Sequence, residues 1–345
     1  MTHALTAATL IALAAGAAPG TIPPTDNAAL AYWQLNVFMD RDEIRAIYDE
    51  MVADEQTVAP GSDNAAKLEG DQDKVSLALK GAFTDECDFE IDYSQGFDTL
   101  LPHLGMMRVA EKLLGADARR LLLARDVPGA ARRTAALYRM AGQIKGDGVL
   151  ISSLVGVAIA NTANVEANRL IEHGLSDDDR RLILAAINTY DDTDPYDVIE
   201  SIRMEQQIVR DWVKRKFTGE TAAKDFFDSM GTVVGTGPGG AAPANPSDPA
   251  APLQELGEVN DPTTLTKAEF DAEVDRAADV YDDLIKALES PEPGPRLEEI
   301  SAEIGAGQHG AVAKAITPNL SRMSESNQRA IAELASVKAK LQKGE

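Results

Sequence analysis

The chain has 345 residues, and its 33 Lys and Arg against 56 Asp and Glu leave a formal net charge of −23. So acidic a chain repels a phosphate backbone instead of releasing counterions from it, which excludes nucleic acid as a bulk partner. Hydrophobic residues at 44% and charged residues at 26% exclude wholesale disorder and a multi-span membrane protein, and aromatics at only 5% favour helices packed through small side chains over a β-sandwich.

Residues 1–18, MTHALTAATLIALAAGAA, form an uncharged run that ends in small residues. The run is shorter than the roughly 20 apolar residues of a membrane span. Ala15-Gly16-Ala17 has the A-x-A form of a cleavage site, so the expectation is a signal peptide over residues 1–17 and a protein exported to a periplasm-like space or secreted. Membrane association would follow only from an uncleaved leader. Cys87 is the sole cysteine, so no intramolecular disulfide can form and stability rests on packing.

A helical main domain is expected over residues 25–230. Its first helix, capped near Thr25 and Asp26, is read as amphipathic with an aromatic anchor, because Leu30, Trp33, Val37 and Phe38 share one face. Residues 41–53 carry Ile44, Ile47, Tyr48 and Met51 in the same way. Residues 54–72 read as a polar loop and 74–83 as a helix. In CDFEIDY, residues 87–93, Phe89, Ile91 and Tyr93 alternate with acids, but no partner strand is near, so the stretch is read as an extended packed segment. Two helical runs, 104–125 and 130–144, are joined by Asp126-Val127-Pro128-Gly129 into an αα-hairpin of tetratricopeptide type, without a recurring 34-residue period.

Asp147 is expected to cap the next helix, which is apolar nearly all round in its first half and therefore the central buried one; Gly174 ends it after His173. Ser176 opens another helix, Asp194-Pro195 starts a long one, and a short one with Phe226 and Phe227 closes the domain. Residues 231–256 form a Gly/Ala/Pro-rich linker, and residues 257–345 a tethered C-terminal helical segment that begins at a capping box of Thr266 and Glu269. The predicted fold is all-α: an irregular helical array with one repeat-like hairpin, plus that C-terminal segment.

No zinc-binding cysteine pair, H-E-x-x-H, phosphate loop, G-x-S-x-G elbow or haem motif is present, so no metal and no cofactor is expected. The acid runs at 177–179 and 191–197 lack calcium-loop spacing and fall at helix starts, where the macrodipole favours them. One constellation has chemical potential: Cys87, Asp92 and His103. A thiol near an imidazole makes a nucleophile with its base, and a carboxylate orients the ring. Equally, cysteine is among the most buried residue types, and a His beside a helix-starting Pro serves as a core or capping group. The hairpin also concentrates cations, namely Arg108, Lys112, Arg119, Arg120, Arg132 and Arg133, with Arg125, Arg139 and Lys145, against Glu111, Asp117 and Asp126. That face either meets an anionic partner or is neutralised by acidic helices beside it.

Asn27-Ala28-Ala29 with Tyr32-Trp33, CDFEIDYSQG over 87–96, Leu100-Leu101-Pro102-His103-Leu104, Arg108 followed by Leu113, Leu114 and Asp117-Ala118-Arg119, and GDGVLISSLVGVAI over 146–159 carry a likeness. They resemble a family of exported α-helical proteins of unknown function found in planctomycete-type bacteria. The likeness spans about residues 25–217 and departs near Phe89, where that family would carry a Trp. It brings no activity, and it implies that residues 87–104 and the helix after Asp147 pack as one unit around a cleft. The functional reading is an exported helical scaffold or binding module that holds a protein partner or an anionic ligand. The alternative is a hydrolase-like enzyme with its site near Cys87 and His103.

Overall fold

The computed structural model describes residues 26–191, 193–235, 261–290, 292–317 and 320–344; the expected leader and most of the expected linker lie outside these residues. The fold is all-α, with no strand among the described residues and one isolated parallel bridge between Asn27 and Glu86.

The first helix, α1 (Ala28–Phe38), is capped by the Asn27 side chain, which accepts from the Ala29 N–H. Its orientation corrects the reading from spacing. The buried face is Ala28, Ala29, Ala31, Tyr32 and Leu35, while Val37, Phe38 and Leu30 stand 76%, 66% and 43% exposed. Three alanines let α1 approach α4 (Gln72–Ala82) closely, and Tyr32 lies against Gly81, where a Cβ would come within 2.7 Å of its ring.

Asp40 caps α2 (Arg41–Ala53), whose Ile44, Ile47 and Met51 are buried. The polar stretch after it is not all loop: it holds a 3-10 turn, Glu55–Val58, and a short helix, α3 (Asp63–Gly70), which Ser62 caps through the Ala65 N–H while Ala65 and Leu68 enter the core. The hairpin is α5 (Pro102–Leu123) and α6 (Val127–Lys145), with Asp126 accepting from the Gly129 N–H. Val127 and Pro128 therefore belong to the first turn of α6, where a Pro costs no hydrogen bond.

The central helix is α7 (Leu150–His173). Glycines set its distance from both hairpin helices. A Cβ on Gly115 of α5 would sit 3.1 Å from the Thr162 methyl, and one on Gly156 of α7 would sit 3.1 Å from the Ala141 carbonyl oxygen. By length and composition α7 matches a membrane span, yet 61% of its most apolar window is buried inside the protein, and Ser152, Ser153, Asn164 and Glu166 are buried with it. Packing in the core accounts for its apolarity. Gly174 ends it at φ 87°, and His173 Nδ1 lies 2.9 Å from the Arg169 carbonyl oxygen in the last turn.

Ser176 caps α8 (Asp177–Ile187). The long helix that follows, α9, begins at Val198–Gln207, widens to a π-helical stretch over Ile208–Val213 and closes at Lys214–Lys216; both carboxylate oxygens of Asp194 cap its start. The π stretch turns Trp212 onto Gly96, where a Cβ would fall 2.4 Å from the indole. Next comes α10 (Ala222–Gly235), which runs a few residues into the expected linker.

The C-terminal helices are α11 (Lys267–Leu288), α12 (Pro293–Gly305), α13 (Gly310–Ile316) and α14 (Leu320–Lys343), the first opened by the expected capping box. They lie on the main body. Antiparallel rungs join α9 to α11: Arg203 to Glu289 at 2.8 Å, Gln206 to Asp282 at 2.8 Å, Arg210 to Asp279 at 3.1 Å and Lys214 to Asp275 at 2.5 Å. At the other end Lys340 of α14 reaches Asn168 of α7.

Beneath this docking lies Glu205 on α9. Burial raises its carboxyl from an ordinary 4.5 to about 7, against a smaller lowering by the Leu150 N–H at the start of α7. The folded chain thus holds a proton there that the unfolded chain has released, so stability declines as pH rises from 4.5 through 7 and stays reduced above it. Glu205→Gln keeps an acceptor for Leu150 without a charge. It should match wild type near pH 4.5 and exceed it by up to about 3 kcal/mol at pH 8, read by urea denaturation at both pH values.

Candidate functional site

The segment after α4 is extended but bonds like a strand to a single side chain. Asn27 Nδ2 donates to the Asp88 carbonyl at 2.8 Å, Asn27 Oδ1 accepts from the Asp88 N–H at 3.0 Å, and the Ala28 N–H donates to the Glu86 carbonyl at 2.7 Å. Alternation then sorts the side chains. Cys87, Phe89, Ile91 and Tyr93 turn inward, and Glu86, Asp88, Glu90 and Asp92 face solvent. Phe89 packs against the Tyr32 and Trp33 rings and lies 4.7 Å from the His103 imidazole, centroid to centroid.

His103, in the first turn of α5, is sealed from solvent, and its Nε2 lies 2.5 Å from Asp147 Oδ2. Asp147 also accepts from Ser152 Oγ at 3.0 Å. The expected cap is thereby corrected: α7 starts after Val149 without a side-chain cap, and Asp147 is committed to the imidazole and to Ser152. Asp92 lies elsewhere, exposed, and hydrogen bonding from the Ser94 side chain and then the Ser94 N–H lowers its carboxyl.

Cys87 is half-buried, and burial, with Asp147 and Asp88 adding to it, pushes its thiol up to about 12. It borders a cavity of about 360 Å³ lined also by Asp85, Arg139, Gln143, Lys145 and Thr189. The chemistry available here is limited. A thiol with that pKa is almost wholly protonated at neutral pH, and the imidazole is turned to Asp147. Gln143 is equally committed: its Oε1 accepts from Tyr32 Oη at 2.6 Å, and its Nε2 donates to the Gly81 and Thr84 carbonyls.

Seven of the nine hairpin cations pair with carboxylates of the chain, while Arg125 and Arg132 are exposed with no ion pair among the described residues. Arg108 pairs with Glu111, Lys112 with Asp49, Arg120 with Asp117 and Glu69, and Arg133 with Asp117. Arg119 grips Glu166 with two hydrogen bonds and Glu55 with a third. Arg132 lies 5.5 Å over the Phe83 ring, Arg139 pairs with Asp85, and Lys145 with Asp197. A second cavity of about 290 Å³ opens between α2 and α7, lined by Tyr48, Val52, Arg119, Asn161, Val165 and Arg169 among others. No group of three or more His, Cys, Asp or Glu suited to a metal ion occurs among the described residues.

The outer face of α1 is the site that spacing misassigned. Leu30, Val37 and Phe38 project outward with half-buried Trp33 along its flank, and they supply three of the seven large exposed apolar side chains among the described residues. The signal for it was present in composition: only Gln34 and Asn36 of the eleven α1 residues are polar, so apolar side chains had to remain uncovered beside them. Asp147 as the partner of His103 had no such signal, because 44 residues separate them. No protein-family model, curated protein or solved structure matches the chain.

Two measurements check these assignments. Alkylation of Cys87 in the folded protein, followed by intact mass, should quicken about tenfold per pH unit to beyond pH 10; a plateau near 8.5 would mark an ordinary thiol. Arg119→Met leaves Glu166, which is 3% exposed, with Arg169 at 3.6 Å in place of two close hydrogen bonds, and should cost about 3–5 kcal/mol in urea denaturation. The double variant Arg119→Met with Glu166→Leu should regain most of that loss.

Proposed function

We propose that the chain is an exported helical binding module that holds a protein partner on the outward face of α1. The single observation that carries this reading is the exposure of Leu30, Val37 and Phe38 on one helix. Apolar side chains gathered on one exposed surface are characteristic of interaction sites, whereas single exposed ones are ordinary. The Ala-Leu-Ile run of residues 1–18 and its A-x-A ending support export. Pairing of seven of the nine hairpin cations within the chain favours a protein partner over an anionic ligand. The protonated Cys87 thiol and the sealed His103 give the hydrolase alternative no ready nucleophile.

A photo-reactive residue at position 38, installed in cells that produce the chain, should yield one discrete adduct with a second protein. The adduct should vanish when Leu30→Ser and Val37→Ser are added, with the melting temperature of the purified protein unchanged. An identical adduct from a photo-reactive residue at position 178 on α8, or no adduct from position 38, would remove the α1 assignment.

A further inference from the structure

We infer that the segment seated on α1 is a basic amphipathic helix; this rests on the α1 reading above and adds the partner's chemistry to it. The apolar half of the surface is the face of Leu30, Val37 and Phe38. The charged half is the segment pinned beside it. The Asn27 amide and the Ala28 N–H fix the backbone at Glu86 and Asp88 against the start of α1, and Phe89 beds that segment onto Trp33. Its inward residues are packed, so its acids have nowhere to go but outward.

Glu86, Asp88, Glu90 and Asp92 are all exposed, and none is paired with a cation among the described residues. Arg139 holds Asp85 and the Ala82 carbonyl, and Arg41, beyond the C-terminal end of α1 and so away from Asn27, bonds the neutral Asn36 side chain. The surface therefore presents an apolar helix face edged on one side by unneutralised carboxylates. A helix with Leu-like residues at i, i+3, i+4 and i+7, and Lys or Arg along one edge, matches both. Eleven residues of α1 span about 16 Å, so about three turns of partner helix cover the face. The apolar contact supplies the affinity, and the carboxylates supply orientation, speed of encounter and salt dependence.

The test uses the full chain and three labelled synthetic peptides, each about three to four turns long. One is an amphipathic Leu/Lys helix, one the same helix with Glu for Lys, and one a scrambled Leu/Lys sequence of equal charge. Fluorescence anisotropy should show the Leu/Lys helix binding at least about tenfold more tightly than either other peptide, and weakening about tenfold between low and high salt. Val37→Ser with Phe38→Ser should abolish binding, and Glu86→Gln with Glu90→Gln should weaken it about fivefold. Asp177→Asn with Asp178→Asn on α8 should leave it unchanged.

Equal affinity for the Glu helix, with binding still lost on Val37→Ser and Phe38→Ser, would overturn the basic partner while leaving the α1 face standing. Binding that survives those two substitutions, or a scrambled peptide that binds as well, would overturn both. Concentration-dependent dimers in sedimentation that vanish with Phe38→Ser would identify a second copy of the chain as the occupant instead. Thermal melts of each variant separate loss of binding from loss of fold.

Discussion

Asp117 lies wholly inside the protein, and three helices meet to answer its charge. Arg120 of its own helix binds one carboxylate oxygen with two nitrogens, Arg133 of α6 binds the other, and Gln72 of α4 adds a further donor. A carboxylate withdrawn from water costs several kcal/mol unless its partners are close and well aimed, so these contacts fix how α4, α5 and α6 register. One half-turn below, Arg119 does the same toward α7 through its paired bonds to Glu166. Burial still raises the Glu166 carboxyl, against the lowering by Arg119, a sign of how little solvent reaches it. The hairpin is held to its neighbours by buried, mutually bonded charges, with glycines at 115 and 156 setting the distance at which those charges meet.

This interior matching also sets the character of the surface. Cations that look from sequence like a basic face are drawn inward by Asp117, Glu166 and Glu111, or paired at the edge by Asp49 and Asp85. With so many of the 33 basic residues engaged inside the chain, the excess of acid is displayed outward. A net charge of −23 thus describes the surface more fully than a reading of the hairpin alone suggests. An acidic surface selects against anionic ligands and toward cationic ones, the direction in which the acids beside α1 point.

Much of the architecture was legible because helices announce their ends. The capping box at Thr266 and Glu269, the cap at Ser176 and the Asp126 turn each appear where side-chain oxygen and backbone N–H chemistry puts them. The alternation of CDFEIDY sorted inward from outward side chains even without a strand to join. What was not legible has physical causes. Only Ala65 and Leu68 of α3 are buried, too few for a period to register in eight residues. The partner of His103 lies 44 residues away, and only the packing of α5 against the start of α7 brings them together. For α1, periodicity shows that an apolar stripe exists, but a helix with only two polar residues in eleven has more than one, and the choice between them is made elsewhere.

That choice is made by Tyr32. Its hydroxyl reaches Gln143, whose amide in turn satisfies the Gly81 and Thr84 carbonyls, and its ring needs the missing side chain of Gly81. Rotating α1 to bury Val37 and Phe38 would gain about 1.5–3 kcal/mol for each side chain. The same rotation would return Tyr32 and Leu35, both fully buried, to water and strand the Tyr32 hydroxyl and the Gln143 Oε1, at about 1–3 kcal/mol for each buried polar group left unpaired. Loss of Tyr32 and Leu35 from the core cancels the gain from Val37 and Phe38, and the stranded polar atoms add to the cost, so the apolar stripe stays outside. A partner helix laid on that stripe removes the same apolar surface from water without disturbing Gln143, which is how the exposed face of α1 and the closed network beneath it belong to one design.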